Sequence, residues 1–375
     1  MRIAMIGTRG VPSRYGGFET AVEEIGSRLA RRHDVTVFCR SGDKSLTKYR
    51  GMRLVHLPAI HHKAAETLSH TALSICHRRA WTADMAFVFN SANAPLVPLL
   101  KRAGVRVAVH VDGLEWQRAK WSGLGQRYYR WSERVAVRVA DALIADARGI
   151  QQYYDDAHGA ATTFIPYGAP ILDSPSLGRL AELGLDPGGY HVVVARLEPE
   201  NHVDVIVGGY LRSSARLPLV IVGSAPYADS YVAELTAHTR RADERVLMVG
   251  SVWDQELLDA IYAGAVTYLH GHSVGGTNPS LLRAMGAQAC TLAYDVSFNR
   301  EVLGDTGWFW SDEPEVAELL QRAEADGDAV AALGAAAQQR AAQLYRWDDV
   351  ANEYELLATH LMAADKYFRR HTLSR

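Results

Sequence analysis

The chain alternates short, mostly apolar runs with longer amphipathic stretches. In the first half the runs Arg2–Ile6, Asp34–Cys39, Met52–Leu57, Met85–Phe89, Val105–His110 and Ala140–Ile144 read as strands. A run of about five apolar residues without alternation suits a strand covered on both faces, as in a parallel sheet. Between the first two runs, Phe18 to Arg32 places Val22, Ile25 and Leu29 on one face of a helix. The order strand, loop, helix, strand implies a parallel sheet. Phe164-Ile-Pro-Tyr-Gly-Ala-Pro170 has the punctuation of a linker, and residues 171–188 read as loop. A second series follows with His191–Arg196, Leu217–Gly223, Arg245–Val249, Ala265–His270 and Cys290–Tyr294 as strands and helices between them. Two doubly wound, Rossmann-like α/β domains facing a cleft are therefore expected, one over residues 1–168 and one over 169–346. In such sheets ligands sit at the carboxyl ends of the strands. Trp347 to Phe368 carries Val350, Tyr354, Leu357 and Leu361 at helical spacing. That helix, within the segment 347–375, is expected to pack back toward the N-terminal domain.

The most informative stretch is His272-Ser-Val-Gly-Gly-Thr-Asn-Pro-Ser-Leu-Leu-Arg-Ala-Met285. It follows an apolar strand, turns on two glycines and enters a helix. Asn278 or Thr277 is the expected N-cap, with Pro279 at the first helical position. Such a helix start presents N–H groups and the positive end of the dipole, which suits phosphates or sugar hydroxyls. It is also what any strand-to-helix loop of an α/β protein looks like. The glycine-rich loop after the first strand has glycines at 7, 10, 16 and 17. That spacing is neither the dinucleotide fingerprint nor a Walker P-loop.

With 375 residues, 48% hydrophobic and 22% charged, the chain is long enough for two globular domains. Its formal net charge of −2 argues against a general nucleic-acid binder. Cys39, Cys76 and Cys290 are far apart and show no CxxC spacing, which points to a reducing compartment and no structural zinc. The N-terminus has no signal-peptide pattern, and no apolar run is long enough to span a bilayer. A cytoplasmic location is expected. His61, His62, His70 and His77 lack a carboxylate at ligand spacing, so no metal site is expected there. Residues 116–138 interleave Trp116, Trp121, Tyr128, Tyr129 and Trp131 with Arg118, Lys120, Arg127 and Arg130. That mixture suits a peripheral contact with the inner membrane face, or an anionic lipid-linked acceptor. A helix that buries its aromatics and solvates its arginines would read the same way.

No nucleophile elbow, HExxH motif or Cys-His cluster is present. What remains is an arginine, glycine-rich backbone and polar side chains, a set suited to phosphate and hydroxyl groups. Here the chain resembles the family-four retaining glycosyltransferases of GT-B fold, and within them the bacterial rhamnosyltransferase-like branch. The matching pieces are Gly7-Thr-Arg-Gly-Val-Pro-Ser-Arg-Tyr-Gly-Gly-Phe-Glu-Thr20, Asp112-Gly-Leu-Glu-Trp116, Ile165-Pro-Tyr-Gly168, Ala195-Arg-Leu-Glu-Pro-Glu-Asn201, Ser273-Val-Gly-Gly-Thr-Asn-Pro-Ser-Leu-Leu282 and Tyr294-Asp-Val-Ser-Phe-Asn-Arg-Glu301. They occur in order over nearly the whole chain.

The resemblance implies a hexose or deoxyhexose, rhamnose among them, moved with retention from a nucleotide-diphosphate donor, dTDP- or UDP-linked. The acceptor would be a saccharide or a lipid-linked one, in polysaccharide or glycoconjugate assembly. No resident cofactor and no metal are implied. Arg196 would meet the diphosphate, with Asn201 where the broader family has lysine. Gly16 and Gly17 would approach phosphate and acceptor, and Gly275, Gly276, Thr277 and Asn278 the donor sugar. The backbone near Ser251 and Trp253 would hold the base, and Glu301 would complete the donor side. His110 or Asp112 would orient the acceptor hydroxyl, although Asp112 also suits a turn cap. The broader family carries glutamates where this chain has Gly275 and Arg283. Arginine cannot accept a hydrogen bond from ribose. The implied alternatives are a deoxyribose donor with Arg283 pairing phosphate or Glu301, an Arg283 turned to solvent, and a weakened sugar-nucleotide-binding homologue or scaffold. A GT-B-type epimerase is a further reading, for which no acid/base carboxylate set can be assembled.

Overall fold

The computed structural model describes the chain apart from residues 14–16, 41–42, 61, 63–64, 112, 119–120, 122, 225–230, 234, 237–243 and 373–375; within the last helix, side chains are described as far as residue 363. The chain divides into two compact units, Met1–Tyr167 with Trp347–Arg375, and Gly168–Arg346.

The first unit is built on β1 (Arg2–Ile6), β2 (Asp34–Cys39), β3 (Lys48–Tyr49), β4 (Met52–His56), β5 (Met85–Phe89), β6 (Arg106–Val111), β7 (Ala142–Ala145) and β8 (Thr163–Phe164). Their order is β3-β4-β2-β1-β5-β6-β7-β8, parallel except where β3 meets β4. β1 pairs with β2 on one side and β5 on the other, so the connections reverse direction there. Met5, Ile6 and all of β5 are fully buried, because helices cover both faces. Those helices are α1 (Gly17–Leu29), α2 (Glu66–Cys76), α3 (Arg78–Trp81), α4 (Val97–Arg102), α5 (Leu124–Val139) and α6 (Arg148–His158). α1 buries Val22, Ile25 and Leu29. The histidine-rich stretch begins its helix only at Glu66, and His70 is fully buried in it, its pKa lowered to about 4 mainly by that burial.

The aromatic, basic stretch splits in two. Glu115 and Arg118 form a buried ion pair at 2.6 Å, and Tyr129 turns inward. Trp131 stays on the surface of α5 with the arginines around it.

The second unit contains β9 (His191–Val194), β10 (Leu219–Val222), β11 (Val246–Gly250), β12 (Thr267–His270), β13 (Cys290–Tyr294) and β14 (Trp308–Trp310). Their order, β11-β10-β9-β12-β13-β14, is parallel throughout. β9 is the strand at which the connections change direction. The helices are α7 (Val203–Arg212), α8 (Gln255–Gly264), α9 (Pro279–Gly286), α10 (Ser297–Leu303), α11 (Glu313–Ala325) and α12 (Gly327–Leu344). The segment expected to be loop, 171–188, holds a 3-10 turn over Leu177–Leu183 whose Leu180 is buried. β8 and β14 extend their sheets beyond the expected last strands. They are too short to carry a pattern of their own, and pairing with a neighbour defines them.

The last helix, α13 (Trp347–Thr372), belongs to the first unit and packs on α1. Arg28 bonds Asp348 at 2.7 Å, His33 bonds Glu355 at 2.7 Å, and Tyr354 meets Phe87 edge-on at 4.9 Å. Among the described residues no helix is long and apolar enough to cross a membrane.

Gly223 closes β10 against β9. A Cβ there would lie 1.8 Å from the carbonyl oxygen of Ala195, and its φ is +153°. Gly223→Ala is expected to destabilise by about 2 kcal/mol or more through overpacking, seen as a fall in melting temperature of about 4 °C or more. Gly327→Ala, at a helix start with nothing within 4 Å of the added carbon, is expected to be neutral or mildly stabilising.

Candidate functional site

In the second unit the carboxyl ends of β9 and β12 lie side by side at the point where the strand order reverses. This is where an open α/β sheet forms its ligand crevice. β9 runs out into Arg196 and a 3-10 turn over Pro199–Asn201. β12 runs out into the loop 271–278 that leads to α9. Asn201, almost fully buried, joins the two. Its Nδ2 donates to the Arg196 carbonyl at 2.7 Å, and its Oδ1 accepts from Nδ1 of His272 at 2.8 Å. Because Oδ1 can only accept, the His272 ring carries a proton on Nδ1.

That ring explains Gly275. A Cβ at 275 would lie 3.1 Å from His272 Nε2, and the residue's φ is +134°. The main chain of the loop is held as well. Asn299 of α10 donates to the His272 and Tyr294 carbonyls at 3.0 and 2.9 Å. Both the amide and the hydroxyl of Ser273 donate to the Glu200 carbonyl at 3.0 Å. His202 bonds the Gly271 carbonyl at 2.8 Å and stacks on Tyr294 at 4.2 Å.

Asn278 caps α9, accepting from the Ser280 amide at 2.8 Å, with Pro279 at the first helical position. The Ser280 hydroxyl bonds the Val194 carbonyl at 3.0 Å and so ties the helix start to the end of β9. Beneath it, Tyr262, Tyr268 and His270 form a buried hydrogen-bonded set with Ser280. Burial holds all three uncharged: it pushes Tyr262 up to about 12, Tyr268 well above the usual phenol range, and His270 down to about 3. The positive end of the α9 dipole is thus fixed at the crevice. Gly276 and Thr277 precede it, both buried.

Arg196 supplies the cation at this edge. Its side chain is 33% exposed and lies 3.2 Å from Glu198. So exposed a pair is weak, and an anion can displace it. One and two strands from β9, the hydroxyls of Ser224 and Ser251 bond at 2.6 Å across the ends of β10 and β11. Trp253 follows, 53% exposed. Glu301 lies on α10, its carbonyl held by Arg340 at 3.0 Å.

Arg283 is not part of this cluster. Its Nε bonds Asp259 at 2.7 Å and its Nη1 bonds Gln255 at 2.6 Å, both on α8. With 18% of its side chain exposed, it neither points to solvent nor pairs with Glu301. Spacing alone located it on the right helix, while the partner comes from a helix 24 residues earlier in the chain. Residue types also gave no reason to single out His272, Asn299 or the Tyr262–Tyr268–Ser280 set. The one available signal was a histidine three residues before a glycine pair.

In the first unit Gly17 opens α1; Gly16 and Asp112 lie outside the described residues. Two carboxylates of α1 fold the preceding loop back, Glu19 accepting from the Arg9 amide at 2.9 Å and Glu23 from the Ser13 amide at 2.7 Å. His110 sits in an aromatic box. Phe89 and Tyr167 stack on it at 5.6 and 5.7 Å, and Phe18 meets it edge-on at 5.2 Å. Neither ring nitrogen reaches a partner side chain among the described residues.

Burial lowers the His110 pKa to about 3, so the ring is neutral at pH 7. The unfolded chain takes up a proton near pH 6.5 that the folded one refuses until about 3. The stability this neutral histidine lends is therefore complete above pH 6.5 and lost on acidification toward 3. His110→Phe is expected to leave stability at pH 7 within about 1 kcal/mol. It should also flatten the acid limb of the stability curve, by up to about 1.4 kcal/mol per pH unit. Denaturation midpoints between pH 4 and 7 check both.

Residues 1–170 match a family model described as a domain of unknown function, DUF1972, and residues 189–326 match the model of glycosyl transferases group 1. Alpha-maltose-1-phosphate synthase of Mycolicibacterium smegmatis is 24% identical, over 94% of this chain and 97% of that one. The GDP-mannose-dependent alpha-(1-6)-phosphatidylinositol monomannoside mannosyltransferase of the same organism is 27% identical, over 60% and 61%. Among solved structures, sucrose-phosphate synthase of Thermosynechococcus elongatus superposes with a TM-score of 0.82, at 20% identity, over 96% of this chain and 99% of that one. Anabaena Alr3699/HepE in complex with UDP-glucose superposes at 0.77, with 18% identity over 95% and 99%. The chain has the two-domain GT-B fold, and residues 189–326 of its second unit match the glycosyl transferases group 1 model.

Proposed function

We propose that this protein transfers a sugar from a nucleoside-diphosphate donor to a hydroxyl of a saccharide or lipid-linked acceptor, with retention at the anomeric carbon. The observation that carries the reading is the edge formed by β9 and β12. An exchangeable arginine, a fixed helix N-terminus and a loop locked by Asn201 and His272 meet there, within the residues that match the transferase family. The donors named for the relatives, GDP-mannose and UDP-glucose, support the donor class.

In this reading the bond between the anomeric carbon and the diphosphate oxygen breaks as the acceptor oxygen bonds the same face. The acceptor's proton passes to the departing diphosphate oxygen, so no protein base is needed. Arg196, released from Glu198, and the α9 dipole neutralise the charge that grows on the diphosphate. The loop from Gly275 to Asn278 meets the donor sugar, and the end of β11, with Ser251 and Trp253, meets the base. Asn201 acts as a positioning residue through its hold on His272 and the Arg196 main chain. Glu301 completes the donor side. Rhamnose or another deoxyhexose is the sugar favoured by the sequence resemblance.

Arg283 bears on the nucleotide only indirectly, as the residue standing where the resemblance places a ribose-binding glutamate. Held by Asp259 and Gln255, it offers no acceptor for a ribose hydroxyl, which favours a deoxyribose donor. The same observation favours the second reading, a homologue that binds sugar nucleotides without turnover.

Incubation with a panel of sugar nucleotides tests the proposal. Donor cleavage or transfer is expected, and Arg196→Ala should lower it by about 10²-fold or more while leaving the melting temperature unchanged. Binding without turnover favours the second reading. The absence of cleavage, transfer and thermal shift with every donor refutes both. For the nucleotide, dTDP is expected to raise the melting temperature at least as much as UDP; a much larger UDP shift refutes the deoxyribose reading.

A further inference from the structure

The exposed face of α5 has a composition that the transfer reaction does not use. The exposed residues of this helix are Leu124, Arg127, Arg130, Trp131, Arg134 and Arg138. At about 100° per residue they fall within an arc of roughly 120°, along about 20 Å of helix. Trp131 and Leu124, 48% and 82% exposed, form one border of the arc, and the four arginines fill the rest. The face carries no acid. Glu133, the one acidic residue of α5, is buried outside the arc, where the Tyr153 hydroxyl bonds it at 2.9 Å. Among the described residues Arg127, Arg134 and Arg138 make no ion pair, and Arg130 lies over the Trp116 ring at 4.1 Å with its charge intact.

A solvated helix face usually mixes charges of both signs, because neighbours three and four apart then attract. This face sets four like charges at those spacings, in a chain whose net charge is −2. Such an arrangement is unfavourable unless an anionic surface lies against it. A soluble polyanion would match the arginines and leave Trp131 and Leu124 in water. An anionic bilayer matches both, phosphates meeting the arginines while the tryptophan and leucine enter the headgroup layer. We infer that α5 docks this protein on an anionic lipid bilayer as a peripheral, reversible contact. The inference stands on the face alone and does not depend on the proposed transfer reaction. Glu115, Arg118 and Tyr129 are buried and take no part in this contact, which is assigned to the exposed face of α5.

Flotation of the purified full chain with vesicles tests the inference, using phosphatidylcholine alone or with about a third phosphatidylglycerol. Binding to the phosphatidylglycerol vesicles is expected, weakening as salt is raised, with none to phosphatidylcholine alone. The triple variant Arg127→Gln, Arg134→Gln, Arg138→Gln should lose about a hundredfold in vesicle affinity. Its melting temperature should stay unchanged, because all three side chains are exposed. Trp131→Ala should weaken binding at high salt, where the electrostatic part is screened. Equal binding to both vesicles, none to either, or wild-type binding by the triple variant overturns the inference. Retention on a soluble sulfated polysaccharide through the same arginines, without vesicle binding, also overturns it and assigns the face to a polyanion.

Discussion

The second unit depends on one buried side-chain amide. Asn201 donates a hydrogen bond to the Arg196 carbonyl just beyond β9 and accepts one from the His272 ring just beyond β12. A primary amide can do both at once, whereas an ammonium or a carboxylate can do only one of them. The choice of asparagine therefore places a proton on Nδ1 of His272. The position of His272 in turn requires glycine at 275, and the glycine sets the path of the loop into α9. Asn201, His272 and Gly275 thereby form one coupled arrangement. Removing the amide of Asn201 or the ring of His272 alone strands a buried polar atom, which costs more than the net worth of the bond it made.

The first unit uses burial differently. Its central strands carry fully apolar residues on both faces, and His110 enters that core as a neutral ring among aromatics. Burial outweighs the backbone contact that favours its charged form, which is why its pKa falls. The loop after β1 is shaped by its own helix, with Glu19 and Glu23 satisfying main-chain amides that a phosphate would otherwise compete for. In the second unit Arg196, paired with Glu198, and the start of α9 lie near the carboxyl end of β9. Arg283 belongs to the packing of α9 on α8. Its guanidinium spans Asp259 and Gln255 and closes a helix pair.

The sequence by itself determined the class of fold. Apolar runs such as Met85–Phe89 and Leu219–Val222 cannot be exposed on either face, so a covered parallel sheet is the arrangement open to them. The cap at Asn278 was equally legible, because Asn-Pro before an apolar helix is a local signal with a local cause. Tertiary structure decided the rest. β3, β8 and β14 are two or three residues long and exist through their neighbours. The partner of Arg283 lies on another helix, and the partner of Asn201 lies 71 residues away. On α5 the spacing alone left both readings of the aromatic residues open. Packing turned Tyr129 inward and left Trp131 out with the arginines. Periodicity records which face of an element is apolar; which atoms meet across that face is settled only when the strands are laid side by side.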